Sequence, residues 1–255
     1  MQIKAYAKVN IFLKITGHKD GFHTLLSRFM RVDNLYDTIS FIPQKCDSFT
    51  IEGCGDIELK SNTIYKAFIA LNNFTRDLDI LDFFYHHKVV VDKTIPAQAG
   101  LGGGSSDGAS FMKLVNKACN LNLDTDTLAK IGSQIGADFP FFIYNYSSAN
   151  VSGFGEIVDR FDEQPLKLEI FTPPIGCDTT IVYKTFKKNL FDSIKLSSFI
   201  NWDKIRSDEI LKLIDPIELN DLYKSALIEY PNLKKYQKDG WFFSGSGSSF
   251  FRVIN

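Results

Sequence analysis

The segment PAQAGLGGGSS holds the residues most suited to chemistry: Pro96, Ala97, Gln98, Ala99, Gly100, Leu101, Gly102, Gly103, Gly104, Ser105 and Ser106. Glycine lets a backbone approach an anion closely and take positive φ at little cost. Behind the run, Ala109, Met112, Val115, Ala118 and Cys119 recur at three- and four-residue steps, which predicts an amphipathic helix starting where the glycines stop. The unpaired N–H groups and partial positive charge of its first turn would favour a negative ligand. Ser105 and Ser106 add hydroxyl donors, and either could supply a metal ligand. A phosphate is the natural guest. Gly-Ser runs also serve as flexible linkers, but apolar periodic segments flank this one closely on both sides. It is not a Walker loop, since no Lys follows the glycines, and Ser105 stands where GxGxxG needs its last glycine. HRD and DFG elements are absent, which excludes a protein kinase.

The elements around this loop follow from periodicity. Ile3, Ala5, Ala7, Val9, Ile11, Leu13 and Ile15 alternate as in a strand with one buried face. Lys4, Tyr6, Lys8, Asn10 and Phe12 share the other face, so Lys8 and Asn10 can reach one site; Lys4 and Lys14 read as surface lysines, and spacing alone gives Lys8 the same reading. A glycine turn at 17–21 precedes His23, whose position beside it reads as structural. Strands are expected at 37–42, 49–51 and 87–95, the last leading through Lys93 to Pro96, which opens the loop. Asn62 precedes a helix carrying Ile64, Ala67, Phe68 and Leu71. A further helix, capped at Asp124 or Thr125, stops at Gly136, and Asp138 just beyond it reads as a turn or cap residue. After Phe154-Gly155 the character changes, with a strand at 166–174, helical stretches, and a closing strand, glycine turn and strand in WFFSGSGSSFFRVIN.

Composition bounds the function. The 255 residues suit two domains of about 150 residues or fewer, and α+β domains at 1–154 and 155–255 are the simplest architecture. Twenty-nine basic residues nearly cancel 30 acidic ones, leaving a net charge of -1, so a dedicated nucleic-acid binder is not expected. No apolar run approaches the roughly 20 residues of a membrane span, and the N-terminus has no signal-peptide pattern. The cytoplasm is the expected compartment. Cys46, Cys54, Cys119 and Cys177 lack a zinc spacing and read as packing residues, as do His86 and His87. The 23 phenylalanines point to well-filled cores and to a pocket with aromatic walls.

PAQAGLGGGSS resembles the second motif of the GHMP kinases, small-molecule kinases named for galactose, homoserine, mevalonate and phosphomevalonate substrates. AKVNIFL at 7–13 is similar to the first motif and FSGSGSSFF at 243–251 to the third, in the family's order. Ala7-Lys8-Val9-Asn10, Gly21-Phe22-His23, the triple glycine and Gly136-Ala137-Asp138-Phe139-Pro140 resemble the branch acting on 4-diphosphocytidyl-2-C-methyl-D-erythritol in the non-mevalonate isoprenoid pathway. A mevalonate kinase would carry GLGSS instead.

The resemblance implies an α+β fold of two domains, the first like the second domain of ribosomal protein S5 and the second ferredoxin-like. It implies ATP as co-substrate with Mg²⁺, whose protein ligands it leaves open, and phosphoryl transfer to the 2-hydroxyl of the cytidylyl substrate. Asp138 corresponds to the catalytic carboxylate and Lys8 to its neighbouring cation, with Asn10 on the substrate. Phe22 matches an aromatic position, usually Tyr, that stacks on cytosine, and His23 the residue bonding the base edge. Thr179 and Tyr183 match a substrate segment, Tyr183 as the other stacking wall. Asn62 and Lys93 match positions near adenine, residues 96–106 hold the ATP phosphates, and Gly245, Ser246 and Gly247 belong to the third motif. No nucleic acid or membrane partner is implied, and the chain is expected to be a monomer or weak homodimer. The rivals are another GHMP kinase acting on homoserine or a mevalonate-type alcohol, and a nucleotide- or RNA-binding module without chemistry on the same scaffold.

Overall fold

The computed structural model describes residues 1–76, 78–193, 199 and 201–254. Strand β1 (Gln2–Lys19) turns through Asp20 and Gly21, both at positive φ, into β2 (Phe22–Pro43). Contacts gather the chain into two compact units that interleave along the sequence: Met1–Ala7, Asp33–Ile95 and Gly103–Asn145 form the first, and Lys8–Val32, Pro96–Gly102 and Tyr146–Asn255 the second. Position 154/155 falls inside the second unit, because β1 and β2 are long enough to serve both.

In the first unit, residues 38–43 of β2 pair antiparallel with β4 (His87–Asp92), which pairs in parallel with β3 (Ile51–Glu52). The helices are α1 (Thr63–Thr75), α2 (Leu78–His86), α3 (Gly103–Ala118), α4 (Thr125–Ser133) and α5 (Phe139–Tyr144). Asp124 caps α4 by accepting the Thr127 N–H at 2.7 Å, and the Asn62 side chain caps α1 through the Ile64 N–H at 2.8 Å. Phe41, Phe49, Phe68, Phe84 and Phe111 form the core, with ring centroids 4.0 to 5.8 Å apart. The abundant phenylalanines are thus spent on packing here. Helix α3 begins at Gly103, before the glycine run ends.

In the second unit, residues 25–30 of β2 pair antiparallel with β5 (Ser148–Gly153), and β5 with β6 (Ile157–Arg160). A second sheet, all antiparallel, places β9 (Phe250–Val253) between β7 (Leu168–Phe171) and β8 (Phe242–Phe243). Helices α6 (Thr179–Asn189), α7 (Ser207–Leu213), α8 (Pro216–Leu219) and α9 (Asp221–Glu229) complete it, and Tyr223 stacks on Phe243 at 4.4 Å. Arg28 is fully buried, bonded to Asn150 Oδ1 at 2.6 Å and the Asp203 carbonyl at 2.8 Å, with Glu163 at 3.6 Å.

Strand β1 departs from the half-exposed expectation. Lys8, Asn10 and Lys14 are 4%, 2% and 5% exposed, because the polar face is also covered. Lys14 is no surface lysine: it pairs with Asp221, whose other oxygen accepts the Ile15 N–H at 2.8 Å. Alternation reports which face is apolar, not whether the opposite face lies against protein. No described helix is long and apolar enough to cross a membrane.

Candidate active site

The second unit contains the loop Pro96–Gly102, shaped by positive φ at Gln98, Gly100 and Gly102. Four successive carbonyls point into protein. Gln98 O accepts the Cys177 N–H at 3.1 Å, Ala99 O the Ser249 N–H at 3.0 Å, Gly100 O the Ser244 hydroxyl at 3.1 Å and Leu101 O the Lys8 N–H at 3.0 Å. Carbonyls anchored this way fix the backbone of the loop. Gly100 is required by contact as well as by its φ of +73°: a Cβ there would sit 2.2 Å from the Ser244 carbonyl oxygen.

The same contacts join all three motifs. Ser244 Oγ accepts the Asn10 N–H at 3.3 Å. The Asn10 side chain donates to Ser27 Oγ at 2.9 Å and accepts from Lys8 Nζ at 2.7 Å, so Lys8 and Asn10 do share a face. The Lys8 ammonium is buried, 4.3 Å above the Phe29 ring. Asn10 is thus engaged by protein on both atoms of its amide. Thr179, the first residue of α6, hydrogen-bonds the Ser246 hydroxyl at 2.8 Å.

His23 sits among rings: His18 at 5.3 Å, Tyr183 at 5.4 Å, Phe186 at 5.8 Å and Phe191 at 5.9 Å. Burial, with the nearby His18 and Lys187, lowers its pKa from the ordinary imidazole value, which favours the neutral ring. Its Nε2 is buried without a hydrogen-bond partner among the described residues. The rings thus pack as an aromatic box around one unmet ring nitrogen. Phe22, the next residue along the strand, is 67% exposed and packs edge-on against Phe154 at 5.9 Å, so successive side chains take opposite faces.

The first unit holds Asp138 and the start of α3. Asp138 lies in a turn at the N-cap position of α5, as the turn-or-cap reading has it, but makes no side-chain capping bond, and its side chain is half-buried. Its place is set from behind. A Cβ on Gly108 would lie 2.4 Å from the Phe139 ring, so the missing side chain lets Phe139 seat α5 closely on α3. Ser106 Oγ donates to the Tyr6 carbonyl at 2.7 Å, while the half-buried Ser105 is not spent that way.

Lys93 does not stand alone beside the loop. Its ammonium meets Asp37 Oδ2 at 2.5 Å and Asp107 Oδ2 at 2.7 Å, and Asp37 Oδ1 accepts the Ile95 N–H at 2.8 Å. Burial pulls the Lys93 pKa down, but the two carboxylates outweigh it and the net shift is upward. Burial raises the Asp107 carboxyl to about 7 against the pull of Lys93. Sequence reasoning missed Asp37 and Asp107. An Asp one helical turn after Gly103 was the available signal for the second; Asp37 left none, since strand spacing says nothing about a partner 56 residues away. Near Asn62, the Cys54 thiol is raised by burial, and all four cysteines are free thiols.

Residues 62–146, which run from the α1 cap through the glycine run to Asp138, match the family description "GHMP kinases N terminal domain". The Methanococcus jannaschii mevalonate kinase has a similar fold, with TM-score 0.63 and 18% identity over all of this chain and 90% of its own. The chain belongs to the GHMP kinase family and has its α+β fold. The 4-diphosphocytidyl-2-C-methyl-D-erythritol kinase of Sulfurovum sp. (strain NBC37-1) is 61% identical over 252 residues, covering 98% of each chain. That of Sulfurimonas denitrificans is 45% identical over 254 residues, 98% of this chain and 96% of its own. A crystal structure of a 4-(cytidine 5'-diphospho)-2C-methyl-D-erythritol kinase superposes with TM-score 0.76 at 25% identity, over all of this chain and 90% of its own. Within the family, the chain falls in this branch of small-molecule kinases.

Proposed function

We propose that the protein transfers the γ-phosphoryl group of ATP to the 2-hydroxyl of 4-diphosphocytidyl-2-C-methyl-D-erythritol, releasing ADP, as a cytoplasmic enzyme of isoprenoid precursor synthesis. One observation carries the reading: the buried chain of bonds from Lys8 through Asn10 and Ser244 to Gly100, which ties the three motifs together behind the glycine loop. The amides of residues 96–106 hold the ATP phosphates. Asp138 accepts the proton of the substrate hydroxyl as its oxygen attacks the γ-phosphorus, and the phosphorus–oxygen bond to ADP breaks. Lys8, held by Asn10, offsets charge gathering on the transferred group.

Mg²⁺ binds hard oxygens and keeps few protein ligands when phosphates are present. Among the described residues no cluster of three or more His, Cys, Asp or Glu could hold a metal, so the oxygens of ATP with the Ser105 hydroxyl fit this ion best. Bound there, Mg²⁺ would screen the phosphate charge. His23 and Tyr183 receive the cytosine with Thr179 beside them, Phe22 adds an exposed ring on the opposite strand face, and Asn62 and Lys93 lie toward the adenine. In this reading the domain at 1–154 carries ATP, with Phe22 and His23 on the substrate side, and the domain at 155–255 adds Thr179 and Tyr183.

Incubation of the protein with MgATP and each candidate alcohol tests the reading. ADP release is expected with the cytidylyl substrate and not with homoserine or mevalonate; the reverse pattern assigns the chain to a rival substrate, and none at all favours the non-catalytic module. Lys8→Met is expected to lower kcat about 10²–10³-fold, the scale of losing one preorganised charge-stabilising group, with ATP affinity nearly unchanged; an effect on affinity alone places Lys8 in binding. Tyr183→Ala, which opens the box around His23, should raise the KM of the cytidylyl substrate about tenfold, the scale of one lost stacking partner. An equal rise in the KM of ATP counts against the base site.

A further inference from the structure

We infer that Ser27 is a positioning residue for phosphoryl transfer: its hydroxyl fixes which way the Asn10 amide faces, and that amide holds the Lys8 ammonium in place for the charge gathering on the transferred group. The inference rests on the proposed role of Lys8 and deepens it by naming what orients the lysine.

Strand pairing brings the residues together. β1 pairs with β2, and side chains two apart on each strand share a face. Lys8 and Asn10 of β1 meet Phe29 and Ser27 of β2. The Lys8 ammonium stands 4.3 Å above the Phe29 ring, and the Asn10 amide nitrogen donates to Ser27 Oγ at 2.9 Å. All four belong to the second unit and all are buried, Ser27 completely. A hydrogen bond lost among them is therefore not made good by bulk water.

The sense of each bond follows from the last. A serine hydroxyl has one hydrogen and two lone pairs. Ser27 donates its hydrogen to the Phe12 carbonyl at 2.5 Å, so toward Asn10 it can only accept. The amide NH₂ must then face Ser27, which leaves Asn10 Oδ1 to accept from Lys8 Nζ at 2.7 Å. The flipped amide would set its NH₂ against an ammonium, two donors with no acceptor between them. It would also set its oxygen against a hydroxyl whose hydrogen is already used. A relay runs from the Phe12 carbonyl through the Ser27 hydroxyl and the Asn10 amide to the lysine, and such chains reinforce themselves in a buried setting. The backbone of Asn10 is tied as well, its N–H donating to Ser244 Oγ at 3.3 Å.

Without the hydroxyl the relay loses its polarity. Ala at position 27 would take the acceptor from the Asn10 NH₂ and a donor from the Phe12 carbonyl. The amide would then have no reason at that end to keep its oxygen toward Lys8. A charge-stabilising group acts best when it is held before the charge develops. Ser27 thus reaches the chemistry only through Asn10 and Lys8, and it lies outside the three motifs.

Kinetics of Ser27→Ala, at a temperature where melting curves show every variant folded, test the relay. With MgATP and the cytidylyl substrate, kcat is expected to fall about 10- to 100-fold, the scale on which a lost supporting hydrogen bond disturbs a positioned group. Both KM values should stay within threefold. A rise in KM with kcat unchanged overturns the inference. The double variant Lys8→Met/Ser27→Ala reads the route, because two residues acting through one group do not add. Its kcat should lie within threefold of Lys8→Met alone; losses that multiply show Ser27 acting independently of Lys8 and overturn the inference. Ser27→Cys separates the hydroxyl from the space it fills, since a thiol is only a weak donor and acceptor. Cys is expected to lose kcat as Ala does, and full turnover with Cys reduces Ser27 to packing. If Lys8→Met lowers kcat and Ser27→Ala does not, the relay falls and the proposed function stands. If Lys8→Met leaves kcat unchanged, the proposed role of the lysine falls and the relay with it.

Discussion

Asp138→Asn is expected to bind MgATP and the cytidylyl substrate nearly as the natural chain does and to lose about 10²–10⁴-fold in kcat, the usual contribution of a positioned general base. The reason for expecting a clean separation of binding from turnover is structural. Asp138 stands at the N-cap of α5 without a side-chain capping bond, so Asn there removes no such bond from the helix. Pro140 in the first turn, and the seat that Gly108 leaves for Phe139, fix the start of α5 instead. Asn preserves shape and hydrogen-bonding reach but cannot accept a proton at neutral pH. Steady-state kcat from ADP release, beside a melting curve, measures both halves of the expectation. Turnover within threefold of the natural chain would remove Asp138 as the base, and a large fall in melting temperature would show the residue to be structural.

Gly100→Ala should be strongly disruptive for a single added methyl. Its φ of +73° carries a penalty of about 1–2 kcal/mol for an L side chain. The new Cβ would also meet the Ser244 carbonyl oxygen at 2.2 Å and the Gly247 backbone at 3.1 Å, groups that cannot rotate away. Overpacking of this kind costs about 1–3 kcal/mol more. The expected loss of about 2–5 kcal/mol is a large share of the 5–15 kcal/mol that holds a typical domain. Turnover should fall about 10²-fold, the cost of a misplacement near 1 Å, because the carbonyls of the same loop position Lys8 and Ser244. Gly104→Ala is the control for stability, its own place in the proposed phosphate loop leaving turnover to be compared rather than held constant. That residue is exposed inside α3, and its Cβ would meet nothing closer than Thr63 Oγ1 at 3.5 Å. Denaturant melts and kcat for the pair decide the matter: equal, small effects would show that the loop relaxes and that its contact with the third motif is dispensable.

The two substitutions differ in how far their consequences could be anticipated. That Gly100 needs special backbone was legible, since a glycine run before an amphipathic period marks a close approach to an anion. That its obstacle would be the Ser244 carbonyl, 144 positions later, was not. The aromatic box was legible only in part. His23 read as structural on spacing alone and gained a role from its motif, whereas the box uses Phe186 and Phe191 as well, which carried no motif. Lys14 was misread outright, because its partner Asp221 comes from a helix that no local pattern ties to β1.

What the sequence determined by itself was therefore of two kinds. Backbone periodicity put Lys8 with Asn10 on one strand face and placed the helices behind Asn62, the glycine run and Asp124, because these depend on residues within a turn or two. Motif letters chose the family and the branch. The tertiary structure alone decided which polar groups are buried, how the loop carbonyls are satisfied, and that Lys93 answers to two carboxylates. Those outcomes depend on charges and donors brought together from distant parts of the chain, and burial sets their energy only after the packing exists.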